Sequence, residues 1–386
     1  MVVYFITIML LVIYSTLIIY YRQSWLQIPT YNDVNASTTS FYTRISIIIS
    51  ARNEEESIGS CLDSVTRQSY PNNLFEIIVV DDFSTDGTAE VVEMFSERNV
   101  RLISLKDHLE GEINSYKKKA IEIAIADATG DLIVTTDADC IVQHKWLETI
   151  ASFYQKNNSA FIAAPVSYFP SPAVEGQVVR FLKIFQSLDF MTLQGITGAS
   201  VHKKFHSMCN GANLAYEKKA FVEVNGFKDI DHIASGDDML LMHKIFEKYS
   251  DRVHFLKSSD AIVNTKAAET LREFFNQRIR WASKADKYSD KRITAVLFLV
   301  YFLNCWILFL GIYSIFDAAI FTTFIIALVV KTIVELTFLY PVAKFFGKTN
   351  LLWWFPVAQP FHILYTVIAG WLGKFGSYKW KERKVK

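Results

Sequence analysis

"ATGDLIVTTDADC", residues Ala128 to Cys140, is the stretch on which the reading of this chain turns. Leu132, Ile133 and Val134 form a short apolar run, as expected of a strand buried on both faces of a parallel sheet. The run ends in Asp137 and Asp139, with only Ala138 between them. In an extended backbone residues i and i+2 face the same side. Two carboxylates so placed repel across a short gap unless something positive sits between them.

Working outward, the same pattern recurs upstream. Ile45 to Ile49 reads as a buried strand that runs into Ser50-Ala51-Arg52-Asn53-Glu54, then a helical pattern through Ile58, Leu62 and Val65. A second strand, Ile77 to Val80, runs into "DDFSTDGT", residues Asp81 to Thr88. A helix over Ala89 to Glu97, a strand over Val100 to Ser104 and a helix over Lys117 to Ala128 complete the series. This β-α-β-α alternation predicts an α/β fold, an open and mostly parallel sheet with helices on both faces. Such sheets bind ligands at the carboxyl ends of their strands.

Three charged groups fall at such ends: Arg52 with Glu54, Asp81 with Asp82, and Asp137 with Asp139. Neither GxGxxG nor GxxxxGK[ST] occurs, so phosphates bound here need another counter-charge. A divalent cation held by Asp137 and Asp139 would supply it, and would be the positive group the strand end calls for. The plainer account of Asp81-Asp82 followed by Ser-Thr-Asp-Gly is turn and N-cap chemistry, and short acidic pairs are common on surfaces. Gathering three such strand ends into one crevice favours the ligand reading.

Composition bounds the rest. The 386 residues carry a net charge of +1, which gives no global field to recruit nucleic acid. Hydrophobic residues make up 51% and Phe alone numbers 30, an excess that gathers at the two ends. Val2 to Tyr21 is apolar and about a bilayer long, and reads as an uncleaved anchor over residues 1–22. Arg22 and the large polar region after it predict that the C-terminal end of this anchor is cytoplasmic.

Ile293 to Ile315 and Ala318 to Tyr340 read as two further spans, the second able to pair Lys331 with Glu335 along one helical face. Pro356, Pro360 and His362 interrupt a third apolar stretch, Leu351 to Leu372. A full crossing there would put the basic tail outside, so an interfacial or re-entrant segment is the preferred reading. Cys61, Cys140, Cys209 and Cys305 show no metal-type spacing and are given no role.

"SIIISARNEEESIGSCLDSV", "EIIVVDDFSTDGT", "ATGDLIVTTDADC", "CNGANLAYEKKAF" and "GDDMLL", in that order, resemble the family 2 inverting glycosyltransferases of the GT-A fold. "QRIRW", Gln277 to Trp281, resembles the QxxRW signature of that family's membrane-bound members. The likeness covers roughly Ile45 to Trp281. It implies a Rossmann-like, mostly parallel GT-A domain facing the cytoplasm and flanked by transmembrane helices. The implied order is an anchor (1–22), the glycosyltransferase domain (41–270), an amphipathic interfacial helix with QxxRW (271–292), C-terminal transmembrane or interfacial segments (293–373) and a basic tail (374–386).

The resemblance also implies roles. Ser50, Arg52 and Glu54 would contact the donor nucleotide, and Asp81 and Asp82 its base and ribose. Lys117 or Lys118 would lie near the donor, the run of three lysines leaving the choice open. Asp137 and Asp139 would place Mg²⁺ or Mn²⁺ on the diphosphate. Asp238 matches the catalytic base. Asp237 stands where relatives often carry Glu, which leaves its role open. Gln277, Arg280 and Trp281 would serve the acceptor and the leaving diphosphate. An amphipathic interfacial helix is the plainer account of QRIRW, and both accounts can hold together.

The expected activity is transfer of a sugar from a nucleotide-sugar donor, UDP-linked by family expectation, to a membrane lipid or lipid-linked acceptor. The alternatives are a processive polysaccharide synthase, for which three or four spans are few, and a catalytically silent membrane nucleotide-binding protein. A membrane nucleotidyltransferase fits less well, because "SARNEEES" is too acidic to favour a bare triphosphate.

Overall fold

The computed structural model describes the chain except residues 33–41, 110, 112, 171–175, 234, 285–289, 376–377, 381–382 and 386, and gives side-chain surroundings up to residue 375. The polar linker expected over Asn32 to Ser40 and the basic side chains beyond Lys374 therefore lie almost wholly outside the described residues.

In chain order the elements are α1 (Val2–Gln27), β1 (Ile45–Ala51), α2 (Glu55–Thr66), β2 (Phe75–Asp81), α3 (Thr88–Glu93), β3 (Val100–Ser104), α4 (Tyr116–Asp127) and β4 (Leu132–Asp137). Then come α5 (Trp146–Asn157), β5 (Phe161–Ala163), β6 (Val166–Tyr168), α6 (Gln177–His202), β7 (Leu214–Glu217), α7 (Lys218–Glu223) and α8 (Met239–Tyr249). Last are β8 (Val253–Phe255), β9 (Val263–Thr265), α9 (Leu271–Ala282), α10 (Lys291–Tyr313), α11 (Ala318–Phe345), α12 (Phe355–Phe375) and a two-stranded antiparallel pair, β10 (Tyr378–Trp380) and β11 (Arg383–Val385). The chain groups into two compact units, each assembled from separate segments.

One unit comprises Pro29–Phe169 and Ser207–Lys266. Its seven-stranded sheet runs β3-β2-β1-β4-β7-β5-β8, parallel throughout except where β7 lies antiparallel to both its neighbours. Ile47, Ile49, Ile77 to Val80 and Leu132 to Val134 are fully buried, which is why these runs read as unbroken apolar stretches. In register, Ser50 pairs Asp137 and Ala51 pairs Asp81, so the carboxyl ends of β1, β2 and β4 finish along one edge. Strand order reverses at β1, because β2 follows it on one side and β4 on the other. A crevice opens at such a switch point. A small second sheet pairs β6 with β9.

Two local expectations are corrected. β4 stops at Asp137, and the Cys140 amide turns back to donate to the Asp137 carbonyl at 3.1 Å. Asp139 therefore sits in a turn and not on an extended backbone. The chain leaves the sheet there so that Ile141 can bridge Asn264. Likewise α3 ends at Glu93, short of Glu97, and the chain closes in a 3₁₀ turn over Ser96–Arg98. Asn99, at φ 66°, then reverses it into β3.

The other unit comprises Met1–Ile28, Pro170–His206 and Ala267–Lys386. It is helical: α1 packs on α11, α6 and α10, and α9 packs on α12. Among the described residues four helices are long and apolar enough to cross a membrane: Val2–Gln27, Lys291–Tyr313, Ala318–Phe345 and the helical stretch Thr349–Phe375, the last being the least apolar. Gly195 lets α6 approach α11 closely, since a Cβ there would lie 2.6 Å from Val342. Within α11, Lys331 and Glu335 pair at 2.8 Å, both buried. The Tyr14 hydroxyl of α1 and the Gln359 amide of α12 also donate to Glu335, while Lys331 donates to Gln359 at 2.9 Å. Three helices thus share one polar clasp.

Candidate active site

The loops after β1 and β2 are tied to each other. Arg52 donates to the carbonyls of Asp82 at 2.8 Å and Phe83 at 3.2 Å, and its guanidinium lies 3.9 Å from the Asp82 carboxylate. The Asn53 amide donates to Ser84 Oγ at 3.0 Å, and the Glu54 amide to Thr88 Oγ1 at 2.8 Å. The Gly87 amide donates to Glu55 Oε2 at 3.0 Å. The Asp86 carboxylate accepts from the Glu55 and Thr88 amides, both at 3.2 Å, so Ser84, Asp86 and Thr88 do the turn work that the plainer reading assigned to this stretch.

Asp81 and Asp82 differ. Asp82 is buried against Arg52. Asp81 Oδ2 accepts from the Ser84 amide at 3.3 Å, while its buried Oδ1 has no hydrogen bond among the described residues. A buried acceptor at a strand end suits an N–H donor such as the imide of a base.

Beside this edge lies a second cluster. Lys117, in the first turn of α4, places its ammonium 2.7 Å from Asp137 Oδ1 and 3.3 Å from Asp237 Oδ2. Burial disfavours that charge, but the two carboxylates outweigh it and hold the lysine above its ordinary pKa, so it stays protonated. The positive group beside Asp137 is thus the chain's own lysine.

Lys118 turns elsewhere. It is buried, and its Nζ donates to the carbonyls of Ile230 at 2.6 Å, Ile233 at 2.7 Å and Ser235 at 3.1 Å. It braces the loop that delivers Asp237 and Asp238. Of the two candidate lysines, Lys117 is the one that pairs with Asp137 and Asp237. Asp238 caps α8, its Oδ1 accepting from the Met239 amide at 2.7 Å and its Oδ2 from the Gly211 amide at 3.2 Å.

Gly211 belongs to this site although sequence reasoning gave it no role. A Cβ on it would lie 3.5 Å from both Asp237 and the Lys117 ammonium, and 3.6 Å from Asp238. "CNGAN" was its only signal in the sequence. Thr265 was also missed; its hydroxyl donates to Asp139 Oδ2 at 3.0 Å from the end of β9.

Ligand atoms of Asp137, Asp139 and Cys140 all lie within 4.8 Å of one another. Burial and the two neighbouring carboxylates push the Cys140 thiol well above its usual pKa, and it donates to Asp139 Oδ1 at 3.6 Å. The donor set is therefore two hard carboxylates, which fits Mg²⁺ or Mn²⁺ better than a thiolate-seeking metal. Gln277, Arg280 and Trp281 share α9, in the helical unit.

Residues 46–223 match the family model described as Glycosyl transferase family 2. Over 111 residues the chain is 37% identical to Glycosyltransferase AglE of Haloferax volcanii, covering 28% of this chain and 35% of that one. Over 241 residues it is 24% identical to the Glucosyl-dolichyl phosphate glucuronosyltransferase of the same organism, covering 60% and 72%. Its fold is similar to that of Mannosyltransferase PcManGT from Pyrobaculum calidifontis, solved in complex with GDP-Man and Mn²⁺, with a TM-score of 0.57 and 19% identity over 94% of this chain and 99% of that one. The chain spans between 20% and 58% of the length of the first curated relatives it matches.

Proposed function

Residues 46–223 being a family 2 glycosyltransferase domain, we propose that the whole chain is a membrane-bound inverting glycosyltransferase. It moves a sugar from a nucleotide-sugar donor to a membrane lipid or lipid-linked acceptor. The observation that carries this reading is one ammonium, Lys117, set between Asp137 and Asp237 at the end of β4, with Asp238 next in the chain and held by the Gly211 amide. The lipid acceptor is supported by the four apolar helices and by the printed activity of the dolichyl-phosphate-linked relative. The catalytic domain faces the cytoplasm in this reading.

The chain's own residues do the following. Asp81 and Asp82, with Ser50, Arg52 and Glu54, hold the nucleoside. Lys117 stays charged and offsets negative charge that grows on the departing diphosphate. Asp137 and Asp139 would hold Mg²⁺ or Mn²⁺, which supplies Lewis-acid stabilisation of the same leaving group. Asp238 accepts the proton of the acceptor hydroxyl as that oxygen bonds to the anomeric carbon and the carbon–diphosphate bond breaks. One in-line displacement inverts the anomeric centre. Gln277, Arg280 and Trp281 serve the acceptor side.

The test is diphosphate release from a panel of UDP- and GDP-sugars by the full chain in detergent with membrane lipid extract, with Mn²⁺, Mg²⁺ or EDTA, beside Asp238→Asn. Asn caps a helix about as well as Asp, so the variant keeps the fold of α8. Turnover of one donor is expected with metal, abolished by EDTA and lowered about a thousandfold in the variant. Donor binding without turnover would sink the transferase reading in favour of a silent nucleotide binder.

A further inference from the structure

Arg278 and Asp189 were not singled out in the sequence, yet they form a closely buried ion pair in the helical unit. The Arg278 guanidinium lies 2.7 Å from Asp189 Oδ2, with side chains 4% and 5% exposed. Tyr365 of α12 donates to Asp189 Oδ1 at 2.5 Å, and His362 Nε2 stands 3.9 Å from the same oxygen. Three helices, α6, α9 and α12, thus converge on one carboxylate.

The other side of the guanidinium faces the QRIRW residues. Its carbon lies 4.2 Å from the centroid of the Trp281 ring and 4.8 Å from that of Phe274. Nη1 donates to Gln277 Oε1 at 3.1 Å. Phe190, the neighbour of Asp189, has its ring 6.2 Å from that of Trp281. Residues 278 and 281 are one helical turn apart, so the contact is built into the phase of α9.

A buried ion pair is weak as a source of stability, because stripping water from both charges costs about what their attraction returns. Its value lies in fixing geometry. A planar guanidinium can meet a carboxylate with its edge while its face lies on an indole; an ammonium can pair with the carboxylate but reaches the ring only as a point charge, with no plane to align.

We propose that Arg278, clamped by Asp189 and Tyr365, is a positioning residue that holds the Trp281 indole and the Gln277 amide in the orientation that receives the acceptor. This rests on the proposed function, in which the α9 signature serves the acceptor. The acceptor class it fits is a sugar or lipid headgroup offering an apolar face to an indole.

The test uses the full chain in lipid nanodiscs and the variants Arg278→Lys and Tyr365→Phe. Arg278→Lys keeps a cation opposite Asp189 and loses the stack. The expected result is a rise of about tenfold in the acceptor KM, with the affinity for UDP or GDP unchanged by calorimetry. Tyr365→Phe removes one hydrogen bond from the clamp and is expected to raise the same KM about threefold. A second readout needs no turnover: the ¹⁹F resonance of 5-fluorotryptophan at 281, assigned by its loss in Trp281→Phe, should shift and broaden in Arg278→Lys.

Wild-type acceptor kinetics and an unmoved resonance in both variants would overturn the proposal. A wild-type chain that turns over no donor would overturn the transferase reading instead, while the resonance still decides whether Arg278 holds the indole. Should Arg278→Lys fail to fold, Tyr365→Phe carries both measurements.

Discussion

Lys117 does two jobs that pull against each other. Its ammonium, 2.7 Å from Asp137 Oδ1, neutralises the acidic edge, and it competes with any divalent ion for that same carboxylate. In the proposed reading, a metal alone would meet a cation at the site, whereas a metal arriving with a diphosphate would bring enough negative charge to hold both. Lys117→Met is therefore expected to bind free Mn²⁺ about tenfold more tightly, read by calorimetry or electron paramagnetic resonance, while turnover falls. Unchanged or weaker Mn²⁺ binding would show that the ammonium does not oppose the metal. The paired acids at 137 and 139 were visible in the sequence because charge at the end of an apolar strand is conspicuous. Which lysine faces them was not. Lys117 and Lys118 are adjacent on α4, about 100° apart. Their division of labour depends on the phase of that helix against carbonyls at 230, 233 and 235, which no local spacing encodes.

At the scale of elements, the glycine before β4 sets how closely that strand approaches β1. A Cβ on Gly130 would lie 2.5 Å from the Ser46 amide nitrogen and 2.7 Å from the Ile45 carbonyl carbon, both backbone and so unable to swing aside. Gly130→Ala should therefore cost about 2 kcal/mol and lower Tm by about 6 °C in a thermal melt. A Tm within one degree of wild type would mean that the strands separate freely there. β1 to β4 were legible because each is five to seven residues long and carries an apolar stretch that ends in a polar turn. β5, β6, β8 and β9 have three residues each and β7 four, too short for periodicity to register, so the antiparallel insertion at β7 left no trace in the pattern.

For the molecule as a whole, the helical unit depends on polar contacts among buried side chains. The Lys331–Glu335 pair was readable from its i,i+4 spacing; Tyr14 and Gln359, far away in sequence, were not. Lys331→Met leaves the Glu335 carboxylate buried without its cation, and should cost about 3–5 kcal/mol, seen as a lower melting temperature in detergent. Lys331→Met with Glu335→Gln should recover most of that loss. Equal melting of the single and double variants would show that the pair is not coupled. The sequence boundaries follow chain continuity over 41–270, whereas the structure groups Pro170–His206 with helices from both ends of the chain.

Gly195 illustrates what that grouping asks of a growing polypeptide. Its partners on α11, Phe338 and Val342, emerge from the ribosome long after α6 itself. Until they do, α6 has only α1 of its three long helical neighbours, α1, α11 and α12, and a large apolar face waits uncovered while the rest of the sheet unit is being made. The bilayer surface, or a chaperone, is the natural shelter for that interval. The helical unit can reach its final form only once α11 and α12 have both been delivered, because each packs on α6.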